Sequence, residues 1–540
     1  MTESVTPHRP DQPAPDMEWD AWGTAEHRTE LGPEVHTLLE QALGVRPRRN
    51  PLAEFDVRLA PAQLTPERRT GLVHLLGAEH VLDDDATRLR HAGGKSTLDL
   101  LRRQDRDPQP APDAVILPAD HDEVLAILEY CAAQSIAVVP FGGGTSVVGG
   151  VDPDSGHLSA VIAVDLRRLN ALSHLDPISR IATLQAGATG PQAEELLSAH
   201  GFSLGHYPQS FRHATIGGFA ATRSSGQASA GYGRFDDMVE HMTVATPRGT
   251  IQVGHPPASA AGPDLRQLFL GSEGTFGIIT EVGVRVHPIP AVVEHRAWTF
   301  PDFATGADAL RTLVQSGLPP TVLRLSDEAE TGLNLALHKD IGRTSPGGCL
   351  AVTTIEGDER YVRDRAAAVQ EILGAAGGAD LGAEPARQWE HGRFGAPHLR
   401  DALLQAGALA ETLETATTWS NLSRLRAAVT EALTGTLREG GTPPLVMCHI
   451  SHTYPAGASL YFTVVCAQTD DPVGQWVEAK KAATAAMVAV GGTVTHHHAV
   501  GRDHLPWMTD EIGHCGVEVL RAVKNALDPH NVLNPGKLIL

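Results

Sequence analysis

The chain has 540 residues, 42% hydrophobic and 20% charged, with a formal net charge of -21 at pH 7. That length exceeds what one hydrophobic core serves, so two or more domains are expected, and the acidic balance without clustered Lys/Arg excludes a nucleic-acid partner. Five scattered cysteines (Cys131, Cys349, Cys448, Cys466, Cys515) lack CxxC spacing and argue against a disulfide framework.

No apolar run approaches the roughly 18 residues of a membrane span, and MTESVTPHRPDQPAPD has neither a basic n-region nor an apolar core. A cytoplasmic protein is therefore expected, with peripheral contact to a membrane left open. The first sixteen residues read as a disordered tail, and MEWDAWG followed by PEVHTLLEQALG reads as a helical lead-in within residues 1–104.

Regular α+β structure begins near residue 110. In DAVILPADHDEVLAILEYCAAQSIAVVPFGGGTS a β-run leads into a helix with Asp120 as N-cap and Glu123 three residues on, then into a second β-run that ends on glycines. Strand patterns follow in SAVIAVDL, IATLQAG, HMTVATPRGTIQV and FGIITEVGVRVHPIP, with a helix in PQAEELLSAHG. After residue 290 longer amphipathic stretches alternate with strands such as CLAVTTIEG and SLYFTVVC, so a domain boundary is expected there. The final helical pattern places small or apolar residues at 512, 516, 519, 523 and 526 and stops at Asp528-Pro529.

Three glycine loops stand out. Pro140, Phe141, Gly142, Gly143, Gly144, Thr145 and Ser146 follow a β-run, where bare glycines let backbone N–H groups encircle a diphosphate. Gln209, Ser210, Thr215, Gly217 and Gly218 belong to the second loop; Gly271, Ser272, Glu273, Gly274, Thr275, Phe276 and Gly277 form the third. Between them Thr222, Arg223, Ser224, Ser225 and Gly226 are small and polar enough to lie against a flat ring, with Arg223 the nearby cation. Neither GxGxxG nor a P-loop can be written through these segments, so the usual NAD and ATP motifs are absent.

Beyond residue 290 the candidate chemistry lies in Arg324, Arg400, Tyr461 and the run His496, His497 and His498. The default readings are a structural ion pair for an arginine beside carboxylates and a core aromatic for Tyr461. Neighbouring side chains of an extended chain point to opposite faces, so the three histidines cannot all ligate one metal; zinc would need His496 and His498 with a distant third ligand, and no metal site is expected.

PFGGGTS, PQS…ATIGG and FLGSEGTFGIITE resemble the FAD-binding oxidases of the vanillyl-alcohol-oxidase/p-cresol-methylhydroxylase (PCMH) type, over about residues 105–290. The resemblance implies a two-part FAD-binding domain (105–290), a mixed α/β cap for the substrate (291–495) and a C-terminal segment (496–540) that returns to the flavin domain. Phe141 stands where covalent members carry His or Cys, which implies noncovalent FAD. Further stretches (MEWDAWG, GHYPQS, TRSSG, RLSDE, LRDALLQAGALAETLET, HTYPAGASLYF, THHHAVG, VKNALDPHNVLNPGKL) are similar to the alkylglycerone-phosphate synthase branch. That branch implies exchange of the acyl chain of acyl-dihydroxyacetone phosphate for a fatty alcohol through a flavin N5 adduct, in ether-lipid synthesis, by a homodimer. By position, Arg324 and His206 would match active-site residues, Arg400 a substrate-binding arginine, Tyr461 the acid/base tyrosine and His496–His498 the active-site histidines. Neighbouring histidines would be expected to lower the Tyr461 pKa. The alternative chemistry on the same scaffold is FAD-linked oxidation of a 2-hydroxy acid such as D-lactate.

Overall fold

A computed structural model describes residues 13–47, 52–105, 107–254, 257–337 and 347–539. Ala114–Ile116, the helix His121–Gln134 and Ile136–Phe141 form a β-α-β unit. The Asp120 carboxylate accepts the Glu123 amide at 2.9 Å and Glu123 accepts the Ala119 amide at 2.6 Å, a cap that stabilises by about 1 kcal/mol. The two strands run in the same direction but are not neighbours: Ala160–Asp165 lies between them, parallel to both, and Val81–Leu82 adds antiparallel at the edge beside Ala114–Ile116. Their near-continuous apolar runs suit a parallel sheet covered on both faces.

A second, antiparallel sheet has the order Leu172–Asp176, Ile181–Gln185, Ile278–Arg285, Val239–Thr246, Gly249–Val253. HMTVATPRGTIQV is thus a hairpin that turns at Pro247-Arg248. The third sheet starts at Val292 and has seven antiparallel strands, in the order Ala379–Gly382, Val292–Phe300, Cys349–Gly357, Val322–Ser326, Leu445–Ile450, Gly457–Ala467, Ala408–Thr418.

The period-2 alternation of this third sheet decides which side chains reach the flavin side. Leu323, Leu325, Cys448, Ile450, Leu413, Leu460 and Phe462 enter one core with the helices Phe303–Gln315, Glu359–Ala375, Leu422–Glu439 and Pro472–Ala489. The intervening residues face the other way. Glu414, Tyr461 and His449 are direct cross-strand partners, and Ser326, two residues after Arg324, pairs with His449. All four functional side chains therefore share one face.

Two expectations are corrected. Residues 1–12 of the supposed tail lie outside the described residues, but further on the Ala14 carbonyl accepts from Arg167 and Asp16 pairs with it. MEWDAWG is bent rather than helical, with Met17, Trp19, Ala21 and Trp22 buried; the helix of the lead-in is Pro33–Leu43. The buried cations Lys95 and Arg103 donate to the Glu18 and Trp19 carbonyls, which anchors the bend. The second correction concerns the last helix, Met508–Leu527, which buries Val517 and Lys524 and leaves Ile512 and Val519 39% and 59% exposed. Non-helical backbone at Gly513 breaks the phase that the sequence pattern assumed.

Candidate functional site

A cavity of about 1620 Å³, including open solvent at its mouth, lies where the flavin-side sheets meet the polar face of the seven-stranded sheet. Pro140 to Ser146 all line it, as do Gln209, Ser210, Thr215, Gly217, Gly218, Thr222, Ser224, Glu273, Gly274 and Gly277.

The glycines do two jobs. A Cβ on Gly143 would sit 1.8 Å from the His213 carbonyl, and one on Gly142 2.4 Å from Thr215 Oγ1, so these residues let the first loop press on the second. Gly218 would meet only Thr215 Oγ1, at 3.3 Å, and is bare toward the cavity. Within the lining, Gln209 Nε2 is buried without a hydrogen-bond partner. Buried polar atoms are normally paired, so this donor in a glycine-lined cleft fits a polar ligand such as FAD.

Other predicted contacts do not reach the cavity. Arg223, held at φ +51°, donates to the Leu270 carbonyl, Asp236 and Gln267, which turns its charge away from any ring system in the cleft. Ser225, Gly271, Ser272, Thr275 and Phe276 lie behind the lining, with Phe276 in the apolar core. His206 is fully buried, accepts or donates at Ser224 Oγ (3.0 Å), and packs on Phe219 and Phe235. It props the Thr222–Gly226 segment from behind. Glu273 lines the cleft, but its carboxylate accepts the Val500 and Gly501 amides at 2.9–3.0 Å.

Across the cleft, Arg400 on the helix Ala396–Gln405 donates Nη1 to the Lys95 carbonyl (2.6 Å) and Nε to Asp401 (2.9 Å). Its Nη2 is ion-paired with Asp401 Oδ1 at 2.8 Å, and the side chain lines the cleft. Tyr461 stacks on His449 (4.8 Å between ring centres), stacks more loosely on His497 (6.1 Å) and meets His498 edge-on (5.7 Å). Arg324 does not line the cavity. It pairs with Glu330 and bonds His449 Nδ1 at 2.9 Å, so it fixes the ring on which Tyr461 lies.

The expected lowering of the Tyr461 pKa is reversed. Burial pushes the phenol up to about 12, with the nearby Glu411 and Glu414 carboxylates adding to the shift. The histidines cannot oppose this because burial keeps them neutral: His498 falls to about 3, and His449, His496 and His497 fall as well.

The histidine run is not a strand. The Glu414 carboxylate accepts the backbone amides of His496 (2.5 Å), His497 (3.2 Å) and His498 (2.9 Å) and the Thr495 hydroxyl (2.6 Å). Those donors hold Glu414 ionised despite full burial. Ala499, at φ +71°, then turns the chain from the Glu414 clamp to the Glu273 clamp. In this bend the rings of adjacent residues meet, contrary to the extended-chain expectation: His496 Nδ1 and His497 Nδ1 are 2.9 Å apart. Nitrogens on a tetrahedral zinc at ~2.0 Å would stand about 3.3 Å apart. The close approach is therefore a hydrogen bond, even though His452 brings a third imidazole within 4.8 Å.

Residue-type reasoning missed Glu414, His449, Tyr454 and Trp22, the last of which lines the cleft beside the first loop. Glu414, Tyr454 and Trp22 lie in quoted stretches (ETLET, HTYPAGASLYF, MEWDAWG) and His449 just before one, yet hydrogen bonds that span 42 to 379 positions leave no local signal; the Trp22 amide, for example, donates to Asp401.

Two family models match the chain: an FAD binding domain over residues 112–254 and the C-terminal domain of FAD linked oxidases over residues 289–538. The chain is 33% identical to the alkyldihydroxyacetonephosphate synthase of Dictyostelium discoideum over 504 residues, 90% of this chain and 82% of the relative. It belongs to the alkyldihydroxyacetonephosphate synthase family. A solved alkyldihydroxyacetonephosphate synthase superposes with a TM-score of 0.84 at 30% identity, covering 97% of this chain and 99% of the other. The fold is shared more distantly with p-cresol methylhydroxylase (TM-score 0.68, 17% identity, 91% and 98% covered). FAD is the cofactor of this family member, and its scaffold is the two-domain PCMH-type α+β fold. Among the described residues no helix is long and apolar enough to cross a membrane.

Proposed function

We propose that the chain exchanges the acyl chain of an acyl-dihydroxyacetone phosphate for a fatty alcohol, on noncovalently held FAD. The observation that carries this reading is Arg400, a guanidinium in the lining of the same cleft as the flavin loops, Tyr461, His497 and His498. A phosphate dianion is the natural occupant for such a donor, since Arg pairs with phosphate oxygens at any working pH. Bound FAD supplies the electrophilic ring at which the ketone-bearing substrate is activated. Phe141, buried against His91 at 4.4 Å, offers no nucleophile for a covalent link from the first loop.

The acid–base work divides by protonation state. With its pKa near 12 Tyr461 stays a neutral phenol that donates to the departing carboxylate, while the neutral His497 and His498 rings offer bare nitrogens to a proton released in the cleft. Arg324 acts through His449, by holding Tyr461 in place.

Incubation of the FAD-loaded protein with palmitoyl-dihydroxyacetone phosphate and labelled hexadecanol is expected to give the labelled ether by mass spectrometry. Absence of ether, together with anaerobic bleaching of the flavin by D-lactate, would overturn the reading in favour of 2-hydroxy-acid oxidation.

A further inference from the structure

His497 lines the flavin cleft, and its Nδ1 lies 2.9 Å from His496 Nδ1; the other nitrogen of His496, Nε2, lies 2.7 Å from the Tyr454 hydroxyl. His496 is 8% exposed, so both of its ring nitrogens must find protein partners. Its partners are of an unusual kind. His504, by comparison, bonds the Ala499 carbonyl at 2.8 Å, an acceptor only, which locks one tautomer. A hydroxyl and a second imidazole can each donate or accept, so both tautomers of His496 are satisfied.

We propose that His497, His496 and Tyr454 form a proton relay that carries a proton out of the flavin cleft toward the surface. The outer end is Tyr454, which is partly exposed and followed by the exposed Pro455 and Ala456. Its ring is fixed by packing on His496 (5.6 Å) and its carbonyl accepts the Trp419 indole N–H at 2.9 Å, so the hydroxyl is held toward the relay.

Each bond made is matched by one broken. The relay starts with His497 Nε2 bare toward the cleft, His497 Nδ1–H donating to His496 Nδ1, and His496 Nε2–H donating to the Tyr454 oxygen. A proton taken up at His497 Nε2 releases the Nδ1 proton to His496 Nδ1. His496 then releases its Nε2 proton to the Tyr454 oxygen, and Tyr454 passes its original hydroxyl proton to solvent water. The three groups begin and end neutral. This matters here, because burial and the Arg234 guanidinium both disfavour a lasting imidazolium at His496 or His497, while Glu414 on the inner side favours one only in part; His452, stacked on His496 at 5.1 Å, is lowered too and adds no charge.

The need for such a path rests on the exchange reaction proposed above: replacing an acyloxy group by an alkoxy group from an alcohol yields a carboxylate and one proton per turnover. A proton taken up at His497 must leave that ring before the ring can accept the next.

Tyr454→Phe keeps the ring and removes the hydroxyl. In a bulky buffer, Y454F and His496→Asn are expected to lower kcat about tenfold, with KM for both substrates unchanged, and added imidazole is expected to restore most of the loss. A kcat for Y454F within twofold of the parent would overturn the relay. Should the parent make no ether at all, the exchange reading fails on its own, and the relay is judged by ¹⁵N spectra of the FAD-loaded, histidine-labelled protein. There both His496 nitrogens are expected midway between bare and protonated shifts in the parent, collapsing to one tautomer in Y454F. A single fixed tautomer in the parent would overturn the relay, and this measurement needs no variant to fold.

Discussion

Arg400 and Arg324 are both arginines flanked by carboxylates, and in the sequence nothing separates their roles. In the fold Arg400 lines the cleft, while Arg324 lies outside the lining and spends its guanidinium on Glu330 and His449. Arg400→Ala is therefore expected to raise KM for the phosphorylated substrate by about 10- to 100-fold, the worth of a charge-assisted hydrogen bond of roughly 1.5–3 kcal/mol. Steady-state kinetics checks this. Tyr461→Phe should instead lower kcat by about 10²- to 10⁴-fold with little change in KM, as loss of an acid–base group does. Arg324→Lys retains a cation for Glu330 and should fall between the parent and Y461F, because it disturbs the phenol only through the His449 ring. Residue types and motifs made the candidates legible. Which of the two arginines lines the cleft was not, since that depends on partners in other elements, Lys95 for Arg400 and His449 for Arg324.

At the scale of elements, the seven-stranded sheet turns simple alternation into a site: each apolar residue sent into the helical core sends its neighbour to the cleft. The strand patterns of CLAVTTIEG and SLYFTVVC were readable for that reason. The bend of residues 495–499 was not, because its shape comes from one distant carboxylate. Glu414→Ala would leave three buried amides and a hydroxyl without an acceptor, at about 1–3 kcal/mol each before relaxation. A loss of at least ~3 kcal/mol in denaturant unfolding is expected, with a smaller loss for Glu414→Gln, which retains one oxygen. The first glycine loop offers a parallel case. Gly143→Ala must push the first loop off the His213 carbonyl, so FAD retention, read as flavin absorbance per chain, should fall sharply even if the sheet persists.

For the molecule as a whole, Glu273 joins the flavin side to the C-terminal segment through the Val500 and Gly501 amides. Burial raises its pKa from 4.5 to about 7. A carboxyl raised on folding binds more protons in the folded state, so it opposes folding increasingly as pH climbs from about 4.5 to about 7 and fully above that. The penalty amounts to about 3 kcal/mol at neutral pH, from ~1.4 kcal/mol per unit. Glu273→Gln removes it, so the stability of the variant relative to the parent should rise between pH 4.5 and 7, as thermal or denaturant unfolding at the two pH values would show. The sequence alone determined the glycine loops, the β-α-β unit with its Asp120 cap, the apolar alternation of the cap strands and the membership of a flavoenzyme family, because each is written in residues near one another. Only the tertiary structure decided that Arg223 and His206 serve as props, that Tyr461 is a neutral phenol and that three consecutive histidines bend into hydrogen-bonded contact. Those properties come from burial and from partners tens to hundreds of residues away, which set desolvation and hydrogen bonding but leave no trace in local spacing.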